Sequence, residues 1–505
     1  MQAPLEATRG TAGRNAFWSI LLATLLACVV LLTLLGHKAL TDWDEGIYAE
    51  ISREMLSGSW LVPYWNYQLW FEKPPLMFWI TATFFKLFGV HEFWARAGSA
   101  FSGVAIVGLL HGWLFRRKNA LAAWIGTVML LGTFGFLHVC HVGEMDVLLS
   151  LGCCIALCGL TAVQECRPNG WYLFWGGFAI AAMTKGSASI VLVLTTVLFV
   201  GLERWELRRL GRDFWLGLLL FLAAVLPWHL YMFSQFGQDF LGEYLGYHVL
   251  ARAAHPIEGH LTHWWFYLWV LLVSAPPFVL LYPFAIAGAL RRAELRVWAV
   301  FALVVVGFFT VVQTRLPHYI APAYPALVVI TAVFLADRLG VLLKKYRPVM
   351  VWTVVALIVV SVSVASVLLT SGGRKQLHSI RGADGRIAYD EREPAMLLRG
   401  VFNHPHSIGG PLLIWWESNS TRSIATSVFY SGRPVQQVQL RPLPLNVLTN
   451  RYSFTPVSLD EAVSSEPRII LLDKNLVSQI PGEFLYQQIA VGRTIEVGSI
   501  RRRGD

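Results

Sequence analysis

Runs of about twenty apolar residues recur along most of this chain, and nothing else constrains its fold so strongly. A helix needs roughly 20 mainly apolar residues to cross the hydrocarbon, where no water can satisfy a bare backbone amide. Reading the runs against their flanks predicts spans over 17–36, 93–115, 119–138, 147–164, 170–184, 187–202, 214–231, 264–290, 297–313, 318–336 and 348–370. The expected class is a polytopic α-helical membrane protein with about 11 transmembrane helices. Composition agrees, with 55% hydrophobic and 14% charged among 505 residues, a balance that excludes an ordinary soluble globule. The first run follows a polar start containing Arg9 and Arg14 and lacks the short apolar core of a signal peptide, so it reads as an uncleaved span.

The net charge of +10 does not point to nucleic acid, because the basic residues fall in short clusters between apolar runs. With a cytoplasmic N-terminus, Arg116-Arg117-Lys118, Arg208-Arg209-Arg212, Arg291-Arg292-Arg296 and Lys344-Lys345-Arg347 all fall on the cytoplasmic side, as the positive-inside rule requires. The same count puts residues 41–92, the surroundings of Asp146, Lys185, residues 232–263 and "TRLPHYIAP" on the opposite face. The six cysteines lie in or beside apolar runs without metal-site spacing and read as small buried hydrophobes.

"PLMFWITATFFKLFG", Pro75–Gly89, is too short to span and suits the membrane interface. After Thr370 the chain turns polar, and "PLLIWW", "TSVFYSG", "RIILLD" and "RTIEVGSI" read as short strands. The expected division is therefore 1–370 in the membrane, with 41–92 and 232–263 as loops carrying interfacial helices, and 371–505 as a small α/β domain outside it.

Chemistry concentrates on the face opposite the basic clusters. In "TDWDEGIYAEISREML", Asp42 with Glu45 fits a capping box, and Ile47, Ile51 and Met55 form an apolar stripe. Glu50, Arg53 and Glu54 fall on the polar side, where solvation or local ion pairs are expected, and Asp44 is the acid left for chemistry. In "FEKPPLMFW", Glu72 and Lys73 precede a Pro-Pro stop. A lysine there suits a lipid phosphate, or else snorkels or joins an ion pair. Asp146, with Glu144 nearby, opens a span on the same face, where helix capping is the bland alternative. Lys185 in "MTKGS", Arg252 in "YHVLARAAH" and Arg315 in "TRLPHY" complete a mixed-charge set. Histidines on this face include His248, His255, His260, His263 and His318. His260 with Glu72 could hold a metal, but no HExxH pair exists and interfacial hydrogen bonding is the favoured reading. No Walker A loop and no GxGxxG after a strand is present, so no nucleotide site is expected.

"DEGIYAEISREML", "FEKPPLMFWITATFFKLFGVHEFWAR", "MDVLL", "TKG" and "RLPHYIAPAYPAL" resemble, in order, the signatures of bacterial lipid A aminoarabinose transferases within the protein O-mannosyltransferase superfamily. "FYSGRP", Phe429–Pro434, resembles part of that family's C-terminal domain. The resemblance implies the GT-C glycosyltransferase fold in a bacterial inner membrane, with the C-terminal domain periplasmic. It implies transfer of a sugar from a polyprenyl phosphate carrier to an envelope acceptor such as lipid A. It places Asp44 at the principal catalytic carboxylate and Asp146 at a second acidic position. Lys73, with Arg252, Arg315 and Tyr319, falls in carrier-phosphate motifs, and Glu72 at a metal-contacting position, while Glu45, Lys185 and His248 are further site candidates. The sequence itself requires no cofactor; the resemblance admits a divalent metal at Glu72, for which His260 is the partner the residues themselves offer. Trp70 stands where a tyrosine is common, and the C-terminal part is shorter than in the larger transferases, so the resemblance fixes the superfamily more closely than the sugar. The alternatives are a protein O-mannosyltransferase-like enzyme with another sugar or acceptor and, from another class, a secondary transporter. Transporters usually place their sites near the midplane, whereas the spans here carry few charges.

Overall fold

The computed structural model describes residues 3–41, 43–205, 210–251, 263–345, 393–402, 408–416, 424–439, 457–492 and 494–503. The expected span at 348–370 lies outside the described residues. The chain forms two compact units, one of Met1–Leu35, Phe71–Ile80 and Arg96–Gly373, the other of Gly36–Trp70, Thr81–Ala95 and Arg374–Asp505.

The first unit is helical. Its elements are α1 (Ala3–Leu32), most of α4 (Glu92–Arg117), α5 (Ala120–Gly132), α6 (Phe134–Cys140), α7 (Asp146–Gln164), α8 (Gly170–Lys185), α9 (Ile190–Leu202), α10 (Arg212–Leu241), α11 (Phe266–Ser274), α12 (Tyr282–Leu290), α13 (Ala293–Val311) and α14 (Ala323–Lys345). Among the described residues, seven helical runs are long and apolar enough to cross a membrane, and nine if the bent pairs α5–α6 (67°) and α11–α12 (119°) each count as one span. Two of the expected spans, 170–184 and 187–202, fall in a single helical run, Gly170–Leu202. Lys185, at φ −146° and ψ 72°, leaves the helical region inside that run, so α8 and α9 are separate helices joined by a 3-10 turn.

Leu219, Leu220 and Leu230 of α10 are exposed, as lipid-facing side chains must be. That helix contains Pro227 and bends at Gly237, whose φ of +50° only glycine adopts cheaply. The basic clusters collect at one end of the bundle: Arg117 pairs with Glu165, Lys118 and Arg292 with Asp337 at 2.5 and 2.6 Å, and Arg296 with Glu203. Asp146 starts α7 and Glu165 caps its far end. The helix between them would span about 28 Å at 1.5 Å per residue, so the basic clusters and Asp146 occupy opposite ends.

The hairpin α7–α8 packs backbone against backbone. A Cβ on Gly152 would meet the Gly177 carbonyl oxygen at 2.7 Å, and one on Gly177 would meet the Ala156 amide nitrogen at 2.5 Å. Small residues at such intervals allow helices to approach closely in a membrane.

The second unit contains α2 (Asp44–Glu54), the hairpin β1 (Tyr64–Trp65) and β2 (Gln68–Leu69), the outer part of α3 (Leu76–Phe88), and the C-terminal elements. Those are α15 (Glu393–Phe402), β3 (Leu412–Trp415), α16 (Ile424–Ser431), β4 (Val435–Gln439), β5 (Val457–Ser458), α17 (Leu459–Ala462), β6 (Arg468–Asp473), β7 (Phe484–Val491) and β8 (Ile495–Arg502). Six strands form one sheet in the order β5-β4-β3-β6-β8-β7, parallel from β5 to β6 and antiparallel beyond. The central run "LLIW" of β3 is buried at every position, as a strand covered on both faces should be. "PLLIWW", "RIILLD" and "RTIEVGSI" supply strands, but "TSVFYSG" is helical and is corrected to α16. It links two adjacent parallel strands, β3 and β4, and such a crossover calls for a helix. A short apolar run cannot declare that by periodicity alone.

Candidate functional site

In the first unit the α7–α8 packing brings the start of one helix beside the end of the other. Asp146 is therefore met by Lys185, whose Nζ lies 3.0 Å from Oδ1 and 3.2 Å from Oδ2. Helix capping does not explain Asp146: it is the first residue of α7, and the residue before it, Met145, makes no side-chain cap. Asp146 is buried, so a nearby cation is what makes its charge tolerable.

The same Lys185 ammonium sits 4.9 Å from the centre of the Tyr319 ring, a cation–π distance. His318 Nδ1 is 3.6 Å from Glu144 Oε2, and the Ser99 hydroxyl donates to the Glu144 carbonyl at 2.6 Å. Glu144, Asp146 and His318 each offer a ligand atom within 4.8 Å of the others, so this trio has the donor set of a divalent-cation site. Sequence spacing gives no hint of it, since His318 arrives from a distant segment.

Next to Lys185, Gly186 faces Pro74, whose Cγ lies 3.7 Å from where a Cβ would stand, and the Tyr244 hydroxyl presses on the same point. Tyr244 is in turn 3.2 Å from His229 Nε2. Pro74 follows the half-buried Glu72 and the buried Lys73, whose charged groups are 3.6 Å apart, and Phe71 packs on Phe236 and Phe240 at ring-centre distances of 5.0 and 5.8 Å. The fold thus brings the "FEKPP" segment to the Asp146–Lys185 end of the bundle. Arg315 gives two of its donors to the Thr310 carbonyl at 3.2 and 2.8 Å, and the adjoining Leu316 carbonyl accepts from Tyr267 at 3.2 Å. Arg252 and His260 lie outside the described residues, as does the side chain of His248. The metal pairing of Glu72 with His260 therefore has one member outside them.

The second unit holds the other acids. Asp42 is outside the described residues, and α2 begins at Asp44 with Trp43 before it and no side-chain cap, so the Asp42–Glu45 capping box is corrected: Glu45 sits one residue too early and accepts instead from Thr41 N at 2.6 Å and Thr41 Oγ1 at 2.9 Å. Ile47, Ile51 and Met55 are buried as the stripe requires. Glu50 and Glu54 are buried too, at 0% and 8% exposure, which corrects the expectation of solvated side chains. The ion-pair alternative holds for Glu50, whose carboxylate takes two donors from Arg53, one at 2.8 Å. Glu54 accepts the Tyr67 amide at 3.1–3.2 Å. Burial, and then the charge of Glu50, pushes the Glu54 carboxyl up to about 8, against the opposing pull of that amide and Arg53.

Asp44, the first residue of α2, is half-buried, and among the described residues its carboxylate has no hydrogen bond or ion pair. Among the described residues it is thus the one acid of its helix with no such partner.

A family model described as dolichyl-phosphate-mannose-protein mannosyltransferase matches residues 72–231. An undecaprenyl phosphate-alpha-4-amino-4-deoxy-L-arabinose arabinosyl transferase of Erwinia tasmaniensis is 32% identical over 62% of this chain and 58% of its own. That of Shewanella sediminis is 31% identical over 59% and 56%, and an uncharacterized protein of Aquifex aeolicus 28% over 65% and 66%. The chain therefore spans less than two thirds of the length of these curated relatives. The fold matches the crystal structure of ArnT from Cupriavidus metallidurans bound to undecaprenyl phosphate, with a TM-score of 0.70 at 22% identity over 95% of this chain and 97% of that one.

Proposed function

We propose that this chain, a multi-pass, aminoarabinose-transferase-like member of the protein O-mannosyltransferase superfamily with the GT-C fold, moves a sugar from a polyprenyl phosphate to an envelope acceptor of the lipid A type. The observation that carries the reading is the convergence of Asp146, Lys185, Tyr319 and the Glu72–Lys73 segment at one end of an apolar bundle. Such a place suits a phosphate head group whose long tail stays in lipid.

The acceptor oxygen attacks the anomeric carbon while the bond from that carbon to the phosphate oxygen breaks, through an oxocarbenium-like centre. The acceptor's proton passes to Asp44, and the polyprenyl phosphate leaves with the bonding pair and one more negative charge. Lys73, with an arginine of the Arg252 or Arg315 motifs, holds that phosphate, where fixed positive charge counts most against charge developing in the transition state. Asp146, fixed by Lys185, orients the sugar or acceptor. A divalent cation, if used, fits Glu144, Asp146 and His318 and would supply further charge for a phosphate; the proposed steps do not depend on it. The membrane is the bacterial inner membrane, with the N-terminus cytoplasmic and residues 371–505 periplasmic.

Purified full-length chain incubated with a glycosylated undecaprenyl phosphate and lipid A should release undecaprenyl phosphate and add one sugar mass to lipid A. Carrier turnover without lipid A modification would move the acceptor elsewhere in the envelope. No release with any polyprenyl-linked sugar would end the reading.

A further inference from the structure

The segment "FYSGRP" belongs to the C-terminal part of the chain, and the proposed chemistry gives it no task. It nonetheless grips both flanks of α2, the helix that carries Asp44, through the Tyr430 side chain on one side and the main chain of Gly432 and the following Val435 on the other, all within one compact unit. Before α2, the Tyr430 hydroxyl accepts the Leu40 amide at 2.9 Å and donates to Glu92 Oε1 at 3.1 Å. Glu92 is itself fixed by Arg399 at 3.0 Å. Leu40, Ala49, Phe85, Ala95 and Phe429 form an apolar cluster around this point. After α2, the Tyr67 hydroxyl donates to the Gly432 carbonyl at 2.9 Å. Asn66 exchanges two hydrogen bonds with Val435, accepting at 2.8 Å and donating at 3.2 Å.

Between the Leu40 anchor and Asp44 the chain passes through Trp43 at φ +64° and ψ −127°. A bulky residue there is strained, and such a conformation persists only where the surroundings over-determine it. Thr41, tied to Glu45, and Leu40, tied to Tyr430, supply that determination on the upstream side. Release of Leu40 would let the turn relax and change the direction in which Asp44 projects. Burial and the adjacent Glu92 carboxylate raise the Tyr430 phenol well above its ordinary value, so its proton stays in place to donate.

We propose that Tyr430 is a positioning residue for Asp44, clamping the strained turn that aims the carboxylate from a helix of the C-terminal part. The C-terminal elements are then a working part of the transferase, because they set the angle of its base. This rests on the reading of Asp44 as the base.

The test uses the full-length chain in nanodiscs, with single-turnover sugar transfer and donor binding measured separately. Tyr430→Phe removes one hydroxyl and keeps the ring. It should lower the transfer rate about 10-fold, the usual scale for a small misplacement at a reacting centre, and leave donor affinity within about 2-fold. In an Asp44→Asn background the same change should cost less than about 2-fold, because the group it positions is gone. An equal loss in both backgrounds, or no loss in the native one, overturns the proposal. Full activity of Asp44→Asn alone instead overturns the base assignment, which separates the two failures. Hydrogen exchange of the unmodified protein gives a second test that does not depend on the variant folding. The Leu40 amide should be protected, and exchange as fast as at an open loop amide overturns the clamp.

Discussion

Asp44 and Asp146 are both first residues of helices, one in each compact unit, and neither helix has a side-chain cap at the residue before it. Asp146 has a lysine on both oxygens, whereas Asp44 has no hydrogen bond or ion pair among the described residues. The lesson is that a carboxylate's address at a helix start says little about its work, and the occupancy of its lone pairs says more. An acid already matched by a cation holds a geometry. The one without such a partner among the described residues, beside the engaged Glu45, Glu50 and Glu54, is the acid we propose as the base.

The sharpest way to break this contrast is Asp44→Asn, which keeps the shape and removes the negative charge. Turnover should fall roughly 1,000-fold, within the range for losing a general base, at unchanged protein level. Undiminished turnover would make Asp44 one more structural acid. Lys73→Met should reduce kcat by roughly 100-fold, the scale for a lost electrostatic partner of a transition-state oxyanion, with a smaller effect on carrier binding. Arginine at the same place should restore part of the rate. Severe loss of carrier affinity with normal transfer at saturation would make Lys73 only an anchor.

Asp146→Asn should cost about 10-fold and lower the thermal midpoint, because it removes the carboxylate charge that both Asp146 oxygens present to the half-buried Lys185 ammonium. Adding Lys185→Met should recover much of the midpoint but not the rate, which distinguishes a geometric role from a purely structural one. The smallest effect is expected at Glu54, whose carboxyl sits at about 8 in the fold against an ordinary 4.5. The folded state then binds a proton the unfolded chain releases, so its contribution to stability is complete below 4.5 and is lost as pH rises through about 8. The midpoint of the wild type should decline between about pH 4.5 and pH 8 and level off above, and Glu54→Gln should flatten the decline with little change in turnover. A flat wild-type profile would mean the group is ionised throughout.

Much of the helical unit was legible because lipid imposes a length and a hydropathy on each span, and basic residues mark one end. The placement of Asp146 and Lys185 on one face followed from the same count. Their direct contact did not, since it depends on glycines whose role is to be absent of side chain. The amphipathic stripe of α2 was correct for Ile47, Ile51 and Met55 but misleading for Glu50 and Glu54. A two-faced pattern assumes that the polar face meets water, and here protein covers it. The grip of Tyr430 on Leu40 joins residues 390 positions apart and leaves no periodic trace.

The glycine-lined contact between α7 and α8 has a consequence for how this protein can change over time. With backbones touching at Gly152 and Gly177, the hairpin behaves like a vernier whose graduations are main-chain atoms. One residue of slippage moves a helix by about 1.5 Å, half the length of a typical ion contact. Insertions in the turn at 165–169 should therefore be tolerated, while a single added residue between Gly177 and Lys185 would swing the ammonium about 100° around its axis and off Asp146. Diversity in this lineage is expected to accumulate in the connection and to be barred from the rungs.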